Sequence, residues 1–118
     1  MVRITIIGLG LIGGSIGLRL KEKLGDRVDI VGYDEIKRSI SEALKNGAID
    51  SKAKNLSDAV DGSELVIIST PLLAIPEIIK SVNPVLQLDC VVTDTGSTKA
   101  QVMSWASKYL SKNINFVG

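Results

Sequence analysis

Residues 4–14 read Ile-Thr-Ile-Ile-Gly-Leu-Gly-Leu-Ile-Gly-Gly, an apolar strand pattern that runs directly into a glycine turn and the start of a helix. Each glycine meets a separate demand: Gly8 allows a tight turn out of the strand, Gly10 lets backbone N–H groups approach a pyrophosphate, and Gly13 lets the helix pack closely on the sheet. The phosphates would then lie at the positive end of the helix. The stretch therefore predicts a dinucleotide-binding site formed by Gly8, Gly10, Leu11, Ile12 and Gly13. A glycine turn without a ligand is the alternative.

A second strand pattern, residues 28–34, ends in Asp34. Asp34 lies about 20 residues beyond Gly13, the spacing expected of a carboxylate that accepts hydrogen bonds from the adenosine ribose. This carboxylate favours NAD over NADP, because a 2′-phosphate would place roughly two negative charges against it. Arg38 is a candidate cation to offset that repulsion, but we interpret it as a solvated residue of a surface helix. The predicted cofactor is NAD.

The composition describes a near-neutral chain with an aliphatic interior. The 118 residues carry a formal net charge of +1, with 45% hydrophobic and 3% aromatic residues, as is typical of parallel sheets. The absence of basic runs argues against nucleic acid as a partner. The single Cys90 cannot form an internal disulfide and no cysteine–histidine set exists for zinc, so we expect no structural metal and a reducing compartment. Without a leader pattern or an apolar run of about 20 residues, we expect a cytoplasmic protein with no membrane partner.

Strand and helix patterns alternate along the chain and predict one α/β domain, residues 1–118. The expected fold is a doubly wound, mostly parallel sheet of six strands, of the Rossmann type. Residues 48–56 hold either a short edge strand or a loop, because the segment is polar. Apolar residues spaced four apart predict the buried faces of the first two helices: Ile12, Ile16, Leu20 and Leu24 in one, and Ile36, Ile40 and Leu44 in the other.

Polar residues follow two further strand patterns, at 69–71 (Ser-Thr-Pro) and 93–99 (Thr-Asp-Thr-Gly-Ser-Thr-Lys). Open α/β sheets bind their ligands at the carboxyl ends of the strands, so both segments are candidates for a site. In the second segment Ser97 or Thr98 would cap the next helix, and Lys99 in its first turn suits an anionic substrate better than it suits the helix dipole. A plain connection between strand and helix is the alternative.

Together these motifs resemble the amino-terminal half of prephenate and arogenate dehydrogenases. The strings that carry the resemblance are residues 8–15, 32–34, 47–50, 69–71, 93–99 and Phe-Val-Gly at 116–118. Enzymes of this family oxidise the ring carbon bearing the 4-hydroxyl of prephenate or arogenate, pass the hydride to a nicotinamide and release carbon dioxide as the ring becomes aromatic. The resemblance implies that Ser97 is an active-site serine near the reacting hydroxyl. It also implies a cofactor crevice lined by Ser69, Thr70, Pro71 and Thr95.

One departure from the family concerns the catalytic base. The chain contains no histidine, whereas the family has a Gly-His-Pro motif that would begin at Gly118. Removal of a hydride from a carbinol needs an acceptor for the hydroxyl proton, and histidine is the usual one. The family's helical second domain, through which its members dimerise, is also absent from these residues. We therefore expect the cofactor-binding domain of a homodimeric enzyme, inactive on its own.

Two other classes of protein fit parts of the pattern. A hydroxyacid or phosphogluconate dehydrogenase would share the glycines but not the string at 96–99. A regulatory module, in which NAD binding changes the conformation of a partner, would suit a chain without histidine. Prephenate and arogenate both stay open as substrates, because the groups that recognise the substrate side chain would lie mostly in the other half of such enzymes.

Overall fold

The computed structural model describes residues 1–95 and 99–117, and within them six strands form one sheet. The strands are β1 (Val2–Ile7), β2 (Val28–Tyr33), β3 (Ser51–Lys52), β4 (Leu65–Ile68), β5 (Val91–Asp94) and β6 (Asn115–Val117). Their spatial order is β3-β2-β1-β4-β5-β6, and every neighbouring pair is parallel. The chain winds outward from β1 to β3, returns to the centre at β4 and winds the other way. The predicted doubly wound fold is confirmed, with a fully parallel sheet.

Helices connect the strands. They are α1 (Leu11–Leu24), α2 (Lys37–Asn46), α3 (Leu56–Val60), α4 (Ile75–Val82) and α5 (Lys99–Tyr109), with 3-10 turns at Gly25–Arg27 and Leu72–Ala74. Gly47 ends α2 in the left-handed conformation, at φ 82°, which a residue without a Cβ adopts at little cost. The Asn55 side chain caps α3 by accepting a hydrogen bond from the Asp58 N–H at 2.9 Å.

Apolar side chains cover both faces of the sheet, as a parallel sheet requires. Alternate residues of β4 serve the two faces: Val66 and Ile68 join the cluster on the α4 and α5 side, and Ile67 joins the cluster on the α1 and α2 side. The first cluster includes Ile75, Ile79, Val82, Val92 and Val102, and the second includes Ile4, Ile6, Ile30, Ile40 and Ala43. With both faces packed, the ends of the strands are the parts of the sheet open to a ligand.

The first helix packs through its glycines rather than through the whole predicted apolar stripe. Gly13 and Gly17 are its buried residues, and a Cβ on Gly17 would overlap the carbonyl oxygen of Ala48. This close approach turns Ile12 to the surface, where 58% of it is exposed. The predicted stripe is therefore wrong at Ile12, although Ile16, Leu20 and Leu24 do pack against the core.

The second helix is rotated slightly from the predicted orientation. Ile40 and Ala43 are its buried residues. Ile36 precedes the helix and is exposed, and Leu44 lies at the surface, so the predicted stripe is confirmed only at Ile40. Residues 48–56 contain the two-residue strand β3 at the edge of the sheet as well as loop.

Candidate functional site

The winding direction reverses between β1 and β4, and open α/β folds bind ligands in the crevice at the carboxyl edge of the sheet beside such a reversal. Main-chain hydrogen bonds hold the segments that meet there. The Gly8 N–H donates to the Tyr33 carbonyl at 2.8 Å, the Ser69 N–H to the Ile7 carbonyl at 2.7 Å, and the Thr95 N–H to the Ile68 carbonyl at 3.0 Å. The ends of β1, β2, β4 and β5 are thus joined in one layer, which brings together the described segments that the sequence predicts for the site.

The residues at 8–13, here called the glycine loop, show three different reasons for glycine. Gly8 has φ +97°, and a Cβ there would overlap the main chain of Ser69. A Cβ on Gly13 would overlap the Gly8 carbonyl oxygen, because α1 starts directly against the loop. At Gly10, by contrast, a Cβ would meet no atom within 4 Å. Gly8 and Gly13 are therefore required by packing, whereas the space beside Gly10 is free for a ligand.

The start of α1 has the character of an anion site. Its N-cap is Gly10, which supplies no side-chain acceptor, and its first turn holds no acidic residue. The N–H groups of a helix's first turn lack intrahelical partners and carry the positive end of the helix dipole. Leu11 and Ile12 stand at this end with 88% and 58% of their surface exposed. The arrangement fits a pyrophosphate laid across Gly10, with two apolar side chains at the mouth of the crevice.

Asp34 follows β2 directly and lies beside the glycine loop. Its Oδ2 accepts a hydrogen bond from the Leu9 N–H at 2.7 Å, and its Oδ1 accepts one from the Ile36 N–H at 2.8 Å. Both oxygens keep further lone pairs, since an ionised carboxylate offers about four acceptor sites. The carboxylate therefore has a fixed orientation and spare capacity for hydroxyl donors.

Arg38 is engaged elsewhere. Its Nε lies 3.2 Å from the Glu42 carboxylate, one turn further along α2, and its side chain is 87% exposed. This agrees with the interpretation of Arg38 as a solvated residue of a surface helix. An exposed pair of this kind contributes little to stability.

Hydroxyl groups line the other wall of the crevice. The Thr95 hydroxyl donates to the Ser69 hydroxyl oxygen at 3.2 Å, which joins the ends of β4 and β5. Thr70 touches the glycine loop, since its Cγ2 would lie 3.0 Å from a Cβ on Gly8. Pro71 is exposed and begins the turn at Leu72–Ala74. The structure thus brings Ser69, Thr70, Pro71 and Thr95 to the crevice.

Ser97, the predicted active-site serine, lies outside the described residues, as does Thr98. The described chain stops at Thr95 and resumes with α5 at Lys99. Thr95 lies at the carboxyl edge of the sheet, next to Ser69.

Two residues of the site escaped the sequence reasoning, Leu9 and Gly32. Leu9 is only 5% exposed, and its Cδ1 would lie 2.9 Å from a Cβ on Gly32. Glycine at position 32 leaves room there for the tips of the Leu9 and Ile49 side chains. The signal was present in the sequence, since a lone glycine within a strand often marks a close approach.

The only cysteine lies away from the crevice. Cys90 is buried just before β5, at the opposite end of that strand from Thr95. Burial raises the pKa of the Cys90 thiol from 9.0 to about 11, so the group is not a nucleophile near neutral pH.

Within residues 1–95 and 99–117, none of the helices has the length and apolar character that a membrane span needs.

The fold and the crevice define a dinucleotide-binding domain of the doubly wound class. Residues 16–118 match the sequence model of the family described as "Prephenate dehydrogenase, nucleotide-binding domain". The chain is 38% identical, over 120 residues, to the prephenate dehydrogenase of Bacillus subtilis; the alignment covers 98% of this chain and 31% of that protein. The chain belongs to the prephenate dehydrogenase family and corresponds to the nucleotide-binding domain of that family.

Solved structures agree with this assignment. The crystal structure of prephenate dehydrogenase from A. aeolicus in complex with hydroxyphenyl propionate and NAD+ superposes with a TM-score of 0.85 at 32% identity, covering 97% of this chain and 40% of that one. A Mycobacterium tuberculosis 3-hydroxyisobutyrate dehydrogenase reaches a TM-score of 0.86 at 17% identity, covering 98% of this chain and 39% of that one, which shows the shared fold alone. The present chain spans about a third of the length of the curated relatives it matches.

Proposed function

We propose that these 118 residues bind NAD as the cofactor domain of a prephenate or arogenate dehydrogenase. One observation carries the proposal: the Asp34 carboxylate is fixed beside the glycine loop, next to open space at Gly10. An acceptor for ribose hydroxyls thereby lies next to a space that can hold a pyrophosphate. The family assignment supports the same conclusion.

Different residues of the crevice would contact different parts of the cofactor. The glycine loop and the first turn of α1 would hold the pyrophosphate through main-chain N–H groups, with Gly8 and Gly13 keeping the loop against the sheet. Asp34 would accept hydrogen bonds from the adenosine ribose. The crevice walls would be formed by Leu11, Ile12, Ser69, Thr70, Pro71 and Thr95.

The reaction we propose for the parent enzyme is the oxidative decarboxylation of prephenate to 4-hydroxyphenylpyruvate, or the same step on arogenate. Bound NAD supplies the hydride acceptor. Ser97 would orient the reacting hydroxyl of the substrate. The proton of that substrate hydroxyl would pass to a base from outside these residues, since none of the 118 is a histidine. The 118-residue chain alone would therefore be inactive. We place the parent enzyme in the cytoplasm as a homodimer, joined through a domain beyond these residues, with neither nucleic acid nor membrane as a partner.

The rival classes have less support. A hydroxyacid dehydrogenase is compatible with the fold, but the similarity to such an enzyme is at 17% identity, whereas a prephenate dehydrogenase is 38% identical over nearly the whole chain. A regulatory module was suggested by the missing histidine. The same absence is expected of one domain of a longer enzyme whose base lies elsewhere.

Calorimetric titration of the domain with NAD and NADP tests the proposal. We expect NAD to bind more tightly, because the 2′-phosphate of NADP would face the Asp34 carboxylate. Asp34→Ala should shrink that preference by about 1–3 kcal/mol, the scale of a lost charged hydrogen bond and a removed repulsion. Glu35→Ala is the matched control, because it removes the next carboxylate in the sequence, which is exposed. Equal affinities in the unmutated domain would refute the assignment.

A further inference from the structure

The Asp34 carboxylate is bonded to the glycine loop as well as facing the crevice. Its Oδ2 accepts from the Leu9 N–H at 2.7 Å, across 25 positions of the chain. Leu9 is the residue between Gly8 and Gly10, so this bond holds the centre of the loop against the end of β2. We call this hydrogen bond the Leu9–Asp34 latch.

Leu9 is held from its other side too. Its side chain is buried in the core cluster on the α1 and α2 face, in contact with Gly32 of β2. The side chain and the N–H of Leu9 are thus both fixed by β2 and the residue that follows it. The neighbouring Gly10 has neither a side chain nor a packing contact at its Cβ position. On its helical side Gly10 is held by its carbonyl, which accepts from the Gly14 N–H at 2.8 Å, so Leu9 is the anchor on the other side of Gly10.

The carboxylate has the capacity to act on two partners at once. The Leu9 N–H occupies one site on Oδ2 and the Ile36 N–H occupies one site on Oδ1. Each oxygen can accept a second hydrogen bond. Two vicinal ribose hydroxyls could therefore bind without breaking the latch, and the two roles of Asp34 are compatible in one complex.

We propose that Asp34 is a positioning residue for the pyrophosphate, acting through Leu9, in addition to accepting hydrogen bonds from the ribose. The latch orders the glycine loop so that the N–H groups at Gly10 and the start of α1 point toward the phosphates. An Asp34 substitution would then weaken the binding of any dinucleotide, including one that makes no ribose contact. This inference rests on the proposed function for the identity of the ligand, but the latch itself belongs to the free domain.

The decisive experiment removes the ribose contact from the ligand. The probe is an NAD analogue with a 2′,3′-dideoxyadenosine, which cannot donate ribose hydroxyls to Asp34. If Asp34 acts on the ribose alone, Asp34→Ala leaves the affinity for this analogue unchanged, or raises it by removing a negative charge near the phosphates. The latch predicts a loss of roughly 10-fold, the scale of a hydrogen bond to a charged group. Glu35→Ala should leave the affinity unchanged, and an unchanged affinity in Asp34→Ala would overturn the proposal.

A second measurement needs no ligand. By NMR hydrogen exchange in the free domain, the Leu9 amide should be protected, and Asp34→Ala should remove that protection. Glu35→Ala should leave the protection in place. A Leu9 amide that exchanges equally fast in Asp34→Ala and in the unmutated domain would overturn the latch whatever the binding data show. Failure of the domain to bind NAD would instead refute the proposed function, and the latch would then be judged on the Leu9 amide.

Discussion

The two halves of the sheet meet at one crevice but offer different chemistry to it. The half around β1 and β2 presents main-chain N–H groups from the glycine loop and one oriented carboxylate, Asp34. The half around β4 and β5 presents the hydroxyls of Ser69, Thr70 and Thr95. Main-chain groups and a charge suit the tight holding of phosphates and ribose, whereas hydroxyls suit the orientation of neutral reacting groups. If the proposed function is right, we expect binding strength to come mainly from the first half and catalytic orientation from the second.

The largest expected effect is on stability, and it tests whether the β1 and β2 half depends on the close packing of Gly13. Gly13→Val places branched carbons where the Gly8 carbonyl oxygen lies, and neither main-chain segment can move freely. We expect the free energy of unfolding to fall by about 3 kcal/mol or more, measured by chemical denaturation. Gly14→Ala is the matched control, because its Cβ would lie 3.7 Å from the nearest atom, the Leu9 carbonyl oxygen, at an ordinary contact distance. Equal stability of Gly13→Val and Gly14→Ala would contradict the packing role of Gly13.

Gly10→Val separates binding from packing in the same loop. The new side chain enters open space, and the main chain at Gly10, with φ −71°, does not require glycine. The domain should stay folded by circular dichroism while its affinity for NAD falls by about 100-fold or more, because the branches occupy the path of the pyrophosphate. Gly10→Ala should give a smaller loss. If Gly10→Val and Gly13→Val were equally unfolded, the division of roles between these glycines would be wrong.

Ser97→Ala examines the second half in the parent enzyme, in which the sequence beyond Gly118 is present. Turnover should fall by about 10- to 1,000-fold with NAD affinity nearly unchanged, because a hydroxyl that orients reacting groups acts mainly in the transition state. The companion assay incubates the 118-residue chain with NAD and either substrate, and no NADH should form at any pH. NADH production by that chain would contradict the claim that the base lies outside it. Unaltered turnover in Ser97→Ala would mean that Ser97 has no part in catalysis and that residues 95–97 serve only as a connection between strand and helix.

The smallest effect concerns the hydroxyl pair that joins β4 to β5. Thr95→Val keeps the shape of the side chain but removes the donor to the Ser69 hydroxyl. We expect a loss of about 0.5–1.5 kcal/mol in the free energy of unfolding. A double-mutant cycle with Ser69→Ala isolates the pair, and a coupling energy near zero would show that the hydroxyls act independently.

Much of this site was open to prediction because its motifs are local. The roles of Gly8, Gly10 and Gly13 follow from a strand, a turn and a helix that are adjacent in sequence, and the position of Asp34 follows from the length of one crossover. The structure agrees with the close packing at Gly8 and Gly13 and with the place of Asp34 beside the glycine loop. The doubly wound sheet of six strands also followed, because strand and helix patterns alternate and crossovers between parallel strands are right-handed.

What escaped prediction depends on contacts between distant parts of the chain. The four-residue spacing of Gly13 and Gly17 predicts a small face for close contact, but not that Gly17 meets the Ala48 carbonyl, a contact that leaves Ile12 exposed. The Leu9–Asp34 latch joins two segments through a main-chain donor, and main-chain donors leave no mark on residue type. The role of Ser97 rests on family resemblance, because the residue lies outside those that the structure describes.

The central position of β1 has a consequence for folding. Ile4 pairs with Leu65, so the middle of the sheet forms only when segments far apart in the chain meet. Such non-local pairing is slow to form, since the intervening loop must be closed before its contacts stabilise it. Gly8 touches Ser69 across this same pairing, so the crevice is complete only once the two halves of the domain have joined. A nucleotide that binds there would stabilise the pairing of β1 with β4, which joins segments about 60 positions apart in the chain. At a higher concentration of that nucleotide, a larger fraction of the chain would be in its native state.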